Sequence, residues 1–308
     1  MKTIHLFLAL AMPLIGVACN GSSHETTSAT PTAAQLSSTS DNGTDECLTV
    51  FSHINREDVI HYKNKDPEMD IEGLDGFYAR AACNLAWPKT VMGRSSKKLE
   101  QALIDELTGD PGKFNTLDAA LKNLIDATQN IPFEKNEIKD VKHIKKIPED
   151  AGMNQAYFDV QLTMKTLDKN LCVFMFAKDN YMGGAHGLYW TQYVNYDVAQ
   201  DKVIKLTDLV TDTVKLRKAI TEALFEQEGV TSITALNENG FLLEEGSTTV
   251  PITQNIYMEN FSIHFVYSPY EIACYARGEV DVCVEPYRLD ALGIQSKYLS
   301  ELIDRYTR

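Results

Sequence analysis

The 308 residues contain no Gly-x-Ser-x-Gly elbow, His-Glu-x-x-His pair, Cys-x-x-Cys pair, phosphate-binding glycine loop or dinucleotide fingerprint. Those absences remove the recognisable serine hydrolases, zincins, thioredoxin-like enzymes, P-loop proteins and nicotinamide enzymes. No two histidines stand three or four residues apart, and no cysteine spacing matches a metal site, so neither metal nor cofactor is expected. Basic residues are scarce, 29 against 43 acidic ones, for a net charge of −14. A chain of that sign repels nucleic acid and anionic lipid headgroups, and it steers basic partners toward itself. After Val17 no stretch is apolar for the ~18 residues that a membrane-crossing helix needs.

What is present begins with an export signal. Lys2 supplies a short positive start, and Ile4 to Val17 is apolar apart from His5, with Pro13 inside it. Fourteen residues at ~1.5 Å each fall short of a ~30 Å hydrocarbon core, so residues 1–18 read as a signal peptide. Gly16-Val17-Ala18-Cys19 resembles the lipobox of bacterial lipoproteins, with Gly16 where leucine is usual. That resemblance implies cleavage before Cys19 and acylation of Cys19. The expected location is the cell envelope, lipid-anchored and periplasmic or surface-exposed, with the outer membrane as the expected bilayer. Loss of Lys2 with the signal makes the mature chain one charge more negative, at −15.

Residues 19–46 then form the lipidated cysteine and a tether. Twelve of the residues from Asn20 to Glu46 are serine or threonine. Such a segment buries too little apolar surface to order itself, and as a coil it reaches about 30 Å. Beyond it lie an N-terminal α+β subdomain, residues 47–150, and a C-terminal domain, residues 151–308. In the first, Leu48–Phe51 and Val59–Tyr62 read as short strands. Ser96–Leu107 reads as a helix with Leu99, Ala102, Leu103 and Leu107 on one face, and a second helix follows Asn115 or Thr116. In the second, Tyr157–Met164 and Leu171–Ala177 read as a hairpin turning at Asp168-Lys169-Asn170. Strands are also expected at Tyr189–Val198, Val203–Leu206, Phe261–Tyr267 and Val280–Val284, and helices at Val214–Glu228 and Gln295–Tyr306. Hairpins with a few segregated helices make the fold class α+β with an antiparallel sheet.

Five cysteines follow Cys19, an odd number in an oxidising compartment, and the expected pairs are Cys47–Cys83 and Cys274–Cys283. Cys172, inside the apolar run Leu171–Ala177, reads as a small buried hydrophobe.

Two segments go beyond composition. The first is Tyr181-Met182-Gly183-Gly184-Ala185-His186-Gly187, followed by Asn195-Tyr196-Asp197 and Lys205-Leu206-Thr207-Asp208-Leu209. The second runs from Tyr267-Ser268-Pro269-Tyr270-Glu271-Ile272-Ala273-Cys274-Tyr275-Ala276-Arg277-Gly278 to Val284-Glu285-Pro286-Tyr287. Together they resemble the RsiV-like family, which comprises the extracytoplasmic domain of a lysozyme-sensing anti-sigma factor and the non-catalytic domain of a peptidoglycan deacetylase. The likeness covers about residues 155–292. This chain has Cys274 where the family pattern has proline, and Gln200-Asp201-Lys202 in place of a Thr-Gly-Lys turn. The Thr-Phe-Asp-Asp motif that carries the deacetylase chemistry is absent, so the resemblance implies the non-catalytic domain alone. Only Met1-Lys2-Thr3 stands before the apolar segment, and the anti-sigma role is not expected to transfer.

The resulting expectation is a binding module and not an enzyme. Its implied partner is a lysozyme-type muramidase, with another basic cell-wall protein or peptidoglycan as alternatives; the lipid anchor provides contact with the membrane, and nucleic acid is excluded. The ligand-binding candidates are Gly183, Gly184, His186, Gly187, Tyr270 and Glu271. Three glycines in five residues allow close backbone approach, either to expose an imidazole to a ligand or simply to make a tight strand crossing. Tyr270, Tyr275 and Tyr287 are expected mostly to pack in the core, with an aromatic contact surface as the alternative. Two other functions compete: a peptidoglycan-active enzyme using carboxylates that sequence does not single out, and a purely structural envelope protein.

Overall fold

A computed structural model describes residues 49–64, 77–128, 138–149, 151 and 155–307. Strand β1 (Val50–Asn64) pairs antiparallel with β2 (Tyr78–Thr90). Helices α1 (Lys97–Thr108) and α2 (Leu117–Thr128) follow. Ser96 starts α1 by accepting a 3.1 Å bond from the Leu99 N–H, and Gly109, at φ 67°, ends it in the left-handed conformation that glycine adopts without penalty. Strand β3 (Ile138–Ile144) flanks β1, and β4 (Gln155–Asp168) lies beside β2. Next come β5 (Leu171–Tyr181), β6 (Leu188–Asp197) and β7 (Lys202–Ile204). The seven strands are ordered β3-β1-β2-β4-β5-β6-β7.

The class is α+β with antiparallel pairing dominant, and one neighbour pair departs from it. β2 and β4 run parallel, joined through α1, α2 and β3. That pair crosses the boundary expected at residue 150, so the two halves of the chain share one sheet, and Asp45–Arg308 form one compact unit. The two short strands expected before residue 62 are a single strand, β1, continuous through the polar stretch Asn55–Asp58. β2 and β3 had no counterpart in the sequence analysis, nor did the one-turn helix α3 (Leu206–Leu209), which takes the end of the expected Val203–Leu206 strand. The helices expected at Ser96–Leu107, after Asn115 or Thr116, at Val214–Glu228 and at Gln295–Tyr306 all occur, as do the strands at Phe261–Tyr267 and Val280–Val284, within a residue or two.

One face of the large sheet is closed by α1 and α2. Leu99, Leu103, Ile104 and Leu107 pack with Ala120, Leu121 and Leu124 onto Cys83, Leu85, Leu162, Phe174 and Phe176. Cys172 is fully buried there, as expected. The rest of the chain builds a second layer from α4 (Thr213–Glu228), α5 (Ile233–Glu238), β8 (Ile256–Glu259), β9 (Ser262–Tyr267), β10 (Val280–Val284), α6 (Pro286–Ala291) and α7 (Lys297–Thr307). β10-β9-β8 form a small antiparallel sheet. Its inner side holds Ile263, Phe265 and Val282 against Leu216, Ile220 and Leu224 of α4, each such buried side chain contributing about 1.5–3 kcal/mol.

Its other side sits on β5 and β6 of the large sheet, where Tyr257 and Val266 meet Val173 and Tyr193. The buried Asn195 amide ties the layers by donating to Ile256 O at 2.7 Å and accepting from Met258 N at 2.8 Å. β4 reaches the small sheet through Lys165, whose ammonium lies 4.5 Å from the Tyr257 ring centroid. Among the described residues no helix is long and apolar enough to cross a membrane.

Candidate functional site

The loop Met182–Gly187 joins β5 to β6 and reverses the chain at one end of the large sheet. Gly183 and Gly184 hold φ of 92° and 94°, which side-chain-bearing residues rarely adopt, and Tyr181 closes the turn by donating to Gly184 O at 2.9 Å. Gly187 is required for another reason: a Cβ there would stand 2.5 Å from the Asn180 carbonyl oxygen and 3.4 Å from the Tyr157 hydroxyl. The glycines therefore shape the loop, and the side chain they present is His186, which is exposed.

His186 donates through Nδ1 to Gly187 O at 2.9 Å, leaving Nε2 as the acceptor facing the Tyr270 hydroxyl at 3.3 Å. Its ring lies flat on Tyr275, with centroids 3.8 Å apart and planes 18° apart. Tyr270 is 5.7 Å from Tyr275 and 54% exposed. The two segments singled out in the sequence thus meet across 84 positions of chain to form one aromatic platform.

The second segment is held rigidly. The exposed Glu271 closes the turn that carries Tyr270, its carboxylate accepting from Ser268 N at 3.0 Å. Tyr270 itself sits at φ 70°, a conformation costing a non-glycine residue ~1–3 kcal/mol that the surrounding fold must supply. Tyr275 opens the 3-10 turn Tyr275–Arg277, which Arg277 clamps by donating to Asn239 O at 3.0 Å and Glu228 Oε1 at 2.6 Å, over the Phe241 ring. Core packing does not account for the three tyrosines: Tyr270 and Tyr287 are exposed, at 54% and 64%, and Tyr275 is half-buried. Tyr157, read from sequence only as a strand residue, and Tyr181, which opens the first segment, extend the platform along the sheet, their rings 6.1 Å apart.

The expected Cys274–Cys283 bridge is not formed, and both are free thiols. Cys283 lies in β10 opposite His264 of β9, whereas Cys274 is anchored to another loop through its N–H bond to Gly240 O, with its sulfur against Gly240. Cys83 is a buried free thiol as well, and Cys47 lies outside the described residues, as does Cys19.

One cluster has the outline of a nucleophile site. His264 Nδ1 is 3.0 Å from Asp281 Oδ1, Cys283 is the cross-strand neighbour of His264, and Tyr257 donates to Asp281 Oδ2 at 2.6 Å. Yet burial pushes the Cys283 thiol up, and Glu285, Asp281 and Glu259 push it further, so it stays protonated and is a poor nucleophile. Tyr257 stacks on His264 at 4.3 Å and meets the tilted ring of Tyr193 at 4.7 Å, which makes this cluster the polar seam between the two sheets. Among the described residues no group of three or more His, Cys, Asp or Glu is placed to hold a metal ion.

Comparison with known proteins places a family boundary on this geometry. Residues 207–285 match the family described as "Protein of unknown function (DUF3298)". The chain contains a DUF3298 domain. That domain includes Tyr270, Glu271 and Tyr275, while His186 comes from the strand pair that precedes it. A crystal structure of a DUF3298 family member from Bacteroides fragilis superposes with a TM-score of 0.59 at 21% identity, over 83% of this chain and 98% of that one. A DUF3298 family protein from Pseudomonas aeruginosa PAO1 gives a TM-score of 0.51 at 15% identity, over 82% and 96%. At those identities the fold is what is shared, and it extends well upstream of the DUF3298 domain. No curated protein matches the chain.

Proposed function

We propose that this protein is a lipid-anchored envelope lipoprotein whose His186–Tyr275–Tyr270 platform binds a basic protein partner, a lysozyme-type muramidase foremost. The observation that carries the reading is the 3.8 Å stack of His186 on Tyr275 beside an exposed Tyr270. It supports a binding role because these side chains belong to the two segments that carry the RsiV-like resemblance, and they converge on the surface and not in the core. Tyrosine suits such a surface, giving large amphipathic contact area at a low cost in side-chain entropy. Exposed Met182, on the same loop as His186, and exposed Leu242, whose N–H bonds Ile272 O close behind Tyr270, add apolar area at either side. The acidic mature chain would speed the encounter with a basic partner, while affinity would rest on the buried aromatic contacts. A binder is favoured over an enzyme because the aromatic platform brings together no nucleophile with a general base, and the Cys283 thiol elsewhere is held protonated.

The test is titration of the purified protein with several basic lysozymes by calorimetry. Truncating a central contact costs about 2 kcal/mol or more at a hot spot, roughly a 30-fold loss. His186→Ala and Tyr270→Ala are expected to lose that much while unfolding at the wild-type denaturant midpoint. Unchanged affinity in both folded variants would remove the platform from the interface, and no binding by wild type at low salt would remove the muramidase.

A further inference from the structure

Between Leu188 and Val194 one edge of β6 has no strand beside it among the described residues, because β7 pairs with Asn195, Tyr196 and Asp197 alone. At Thr191 side chains of the second layer take the place of that strand. The Thr191 N–H donates to Glu279 Oε1 at 2.6 Å, its hydroxyl donates to the same oxygen at 2.9 Å, and its carbonyl accepts from Asn255 Nδ2 at 2.7 Å. Thr191 is buried, and backbone groups withdrawn from water need such partners.

Glu279 is half-buried and forms no ion pair among the described residues. Burial raises its carboxyl, Asp281 adds to the rise, and the two bonds from Thr191 offset part of it. What holds the carboxylate is therefore Thr191, through charge-assisted bonds roughly twice as strong as neutral ones. The chain from Glu279 back to the platform is short and stiff. Gly278 turns it at φ 69° and ψ −150°, a combination that glycine alone adopts readily, and the Gly278 N–H bonds Tyr275 O at 2.9 Å. Tyr275 stands four residues before Glu279, and His186, which stacks on Tyr275, stands five before Thr191. The two segments thus touch at both ends, ring on ring at one and carboxylate on Thr191 at the other.

We propose that Glu279 is the positioning residue of the aromatic platform, latching the second layer onto β6 so that Tyr275 lies flat against His186. The proposal rests on reading the platform as a binding surface. The rings do not fix themselves: His186 is exposed, Tyr275 is half-buried, and the Tyr270 hydroxyl meets His186 Nε2 only at 3.3 Å. Arg277 secures the Tyr275 turn to Asn239 and Glu228, both within the second layer, and so leaves its distance from β6 open. Asn255 also grips Thr191, but from the chain before β8, remote from Tyr275. Glu279 is the contact that ties the Tyr275 turn itself to the strand that follows His186.

The experiment reads the platform directly and the partner separately. The full chain, purified in detergent, is followed by NMR at the His186 ring protons, which the face of Tyr275 displaces upfield of those of exposed His53. Glu279→Ala should return the His186 signals at least halfway to the His53 position. Glu279→Asp, which keeps the charge but withdraws the oxygen by one methylene, should do the same. Glu279→Gln, whose amide oxygen still accepts from Thr191, should leave them in place. So should Asp197→Ala, which weakens the far end of β6 without touching the latch. Affinity for a basic lysozyme should fall about tenfold in Glu279→Ala and Glu279→Asp, the scale of one lost hydrogen bond, and stay within about twofold in Glu279→Gln. Moved signals with unchanged or absent lysozyme binding would take the muramidase off the platform and leave the latch standing. Signals unmoved in whichever of Glu279→Ala and Glu279→Asp folds overturn the latch. Equal movement in Glu279→Gln or Asp197→Ala overturns it too, by reducing Glu279 to general stability.

Discussion

Replacing Asp197 should loosen the C-terminal helix from the sheet, by an amount the structure allows to be worked out. The Asp197 side chain is 0% exposed at the end of β6. Its Oδ2 accepts from Arg305 at 2.8 Å and Tyr298 at 2.9 Å, both on α7, and its Oδ1 accepts from Gln200 N in the following turn at 3.1 Å. Breaking a buried charge pair by removing one partner costs about 3–5 kcal/mol. Arg305 keeps 32% of its side chain exposed and can rehydrate, so the lower end, ~3 kcal/mol, is expected for Asp197→Ala. At about 2–4 °C per kcal/mol for a unit of this size, the melting temperature falls by about 6–12 °C.

Acid should erase the difference. Burial alone would raise the Asp197 carboxyl, but the bonds from Arg305, Tyr298 and Gln200 outweigh it and hold it below its usual range near ~3.9. A group lowered on folding stabilises fully above its unfolded value, and that stability is lost as pH falls through the folded value. Urea midpoints of wild type and Asp197→Ala should therefore differ at pH 7 and converge below pH 4. A loss under ~0.5 kcal/mol at pH 7, or a gap that stays constant down to pH 3, would refute the lock.

Other substitutions probe separate parts of the molecule. Gly187→Ala forces a methyl against the Asn180 carbonyl and should cost about 1–3 kcal/mol with loss of partner binding; Gly183→Ala, in open space but at φ 92°, should cost about 1–3 kcal/mol through backbone strain alone, read in a parallel denaturation series. Lys178 is buried with its ammonium on Glu106 O at 2.6 Å, and burial lowers it to about 8 despite the pull of Glu106. Because the unfolded chain binds more protons than the folded one between pH 8 and 10, stability should rise with pH in that window. Lys178→Met should flatten the rise in urea titrations, and an unchanged slope would count against it. Cys19→Ser should yield an unprocessed or soluble form in detergent partitioning; a variant that still partitions like wild type, with its N-terminus cut elsewhere, would contradict the anchor.

Which parts of the fold could be read from sequence follows from local chemistry. Strands that alternate strongly, such as Tyr157–Met164, and helices with a hydroxyl or carboxylate cap and a 3–4 apolar spacing announce themselves within a dozen residues. β2 does not, because its inward positions include Ala79, Ala81 and Cys83, and alanine carries little strand preference. Its burial alternates nonetheless, since the helices above need small residues to approach the sheet. β1 reads as two pieces because Asn55-Arg56-Glu57-Asp58 breaks the apolar alternation at the place where the face above it is uncovered. The stretch that hides the strand from sequence is the stretch that leaves the polar face open.

The same reasoning divides the site. Both halves of the platform are legible, because glycine clusters and Ser-Pro-Tyr-Glu turns have few structural alternatives. That the two halves touch is set by the reversal at Met182–Gly187 and by the β5–β6 register, neither visible locally. Exposure of Tyr270 and Tyr275 was equally hidden, since loop residues lack the periodicity that separates inside from outside on a strand. The Glu279 latch is a stronger case. Glu279 is one of 43 acids, and nothing near it in sequence points to Thr191. The two meet only because the second layer, after α4 and α5, brings the start of β10 back to the edge of β6. In this protein, chemistry borne by one turn is legible in advance, while chemistry assembled across the sheet waits on topology. That topology also explains why the DUF3298 match ends short of half the platform. The match covers the second layer only from α4 through β10, and the surface that layer completes belongs to the sheet beneath it.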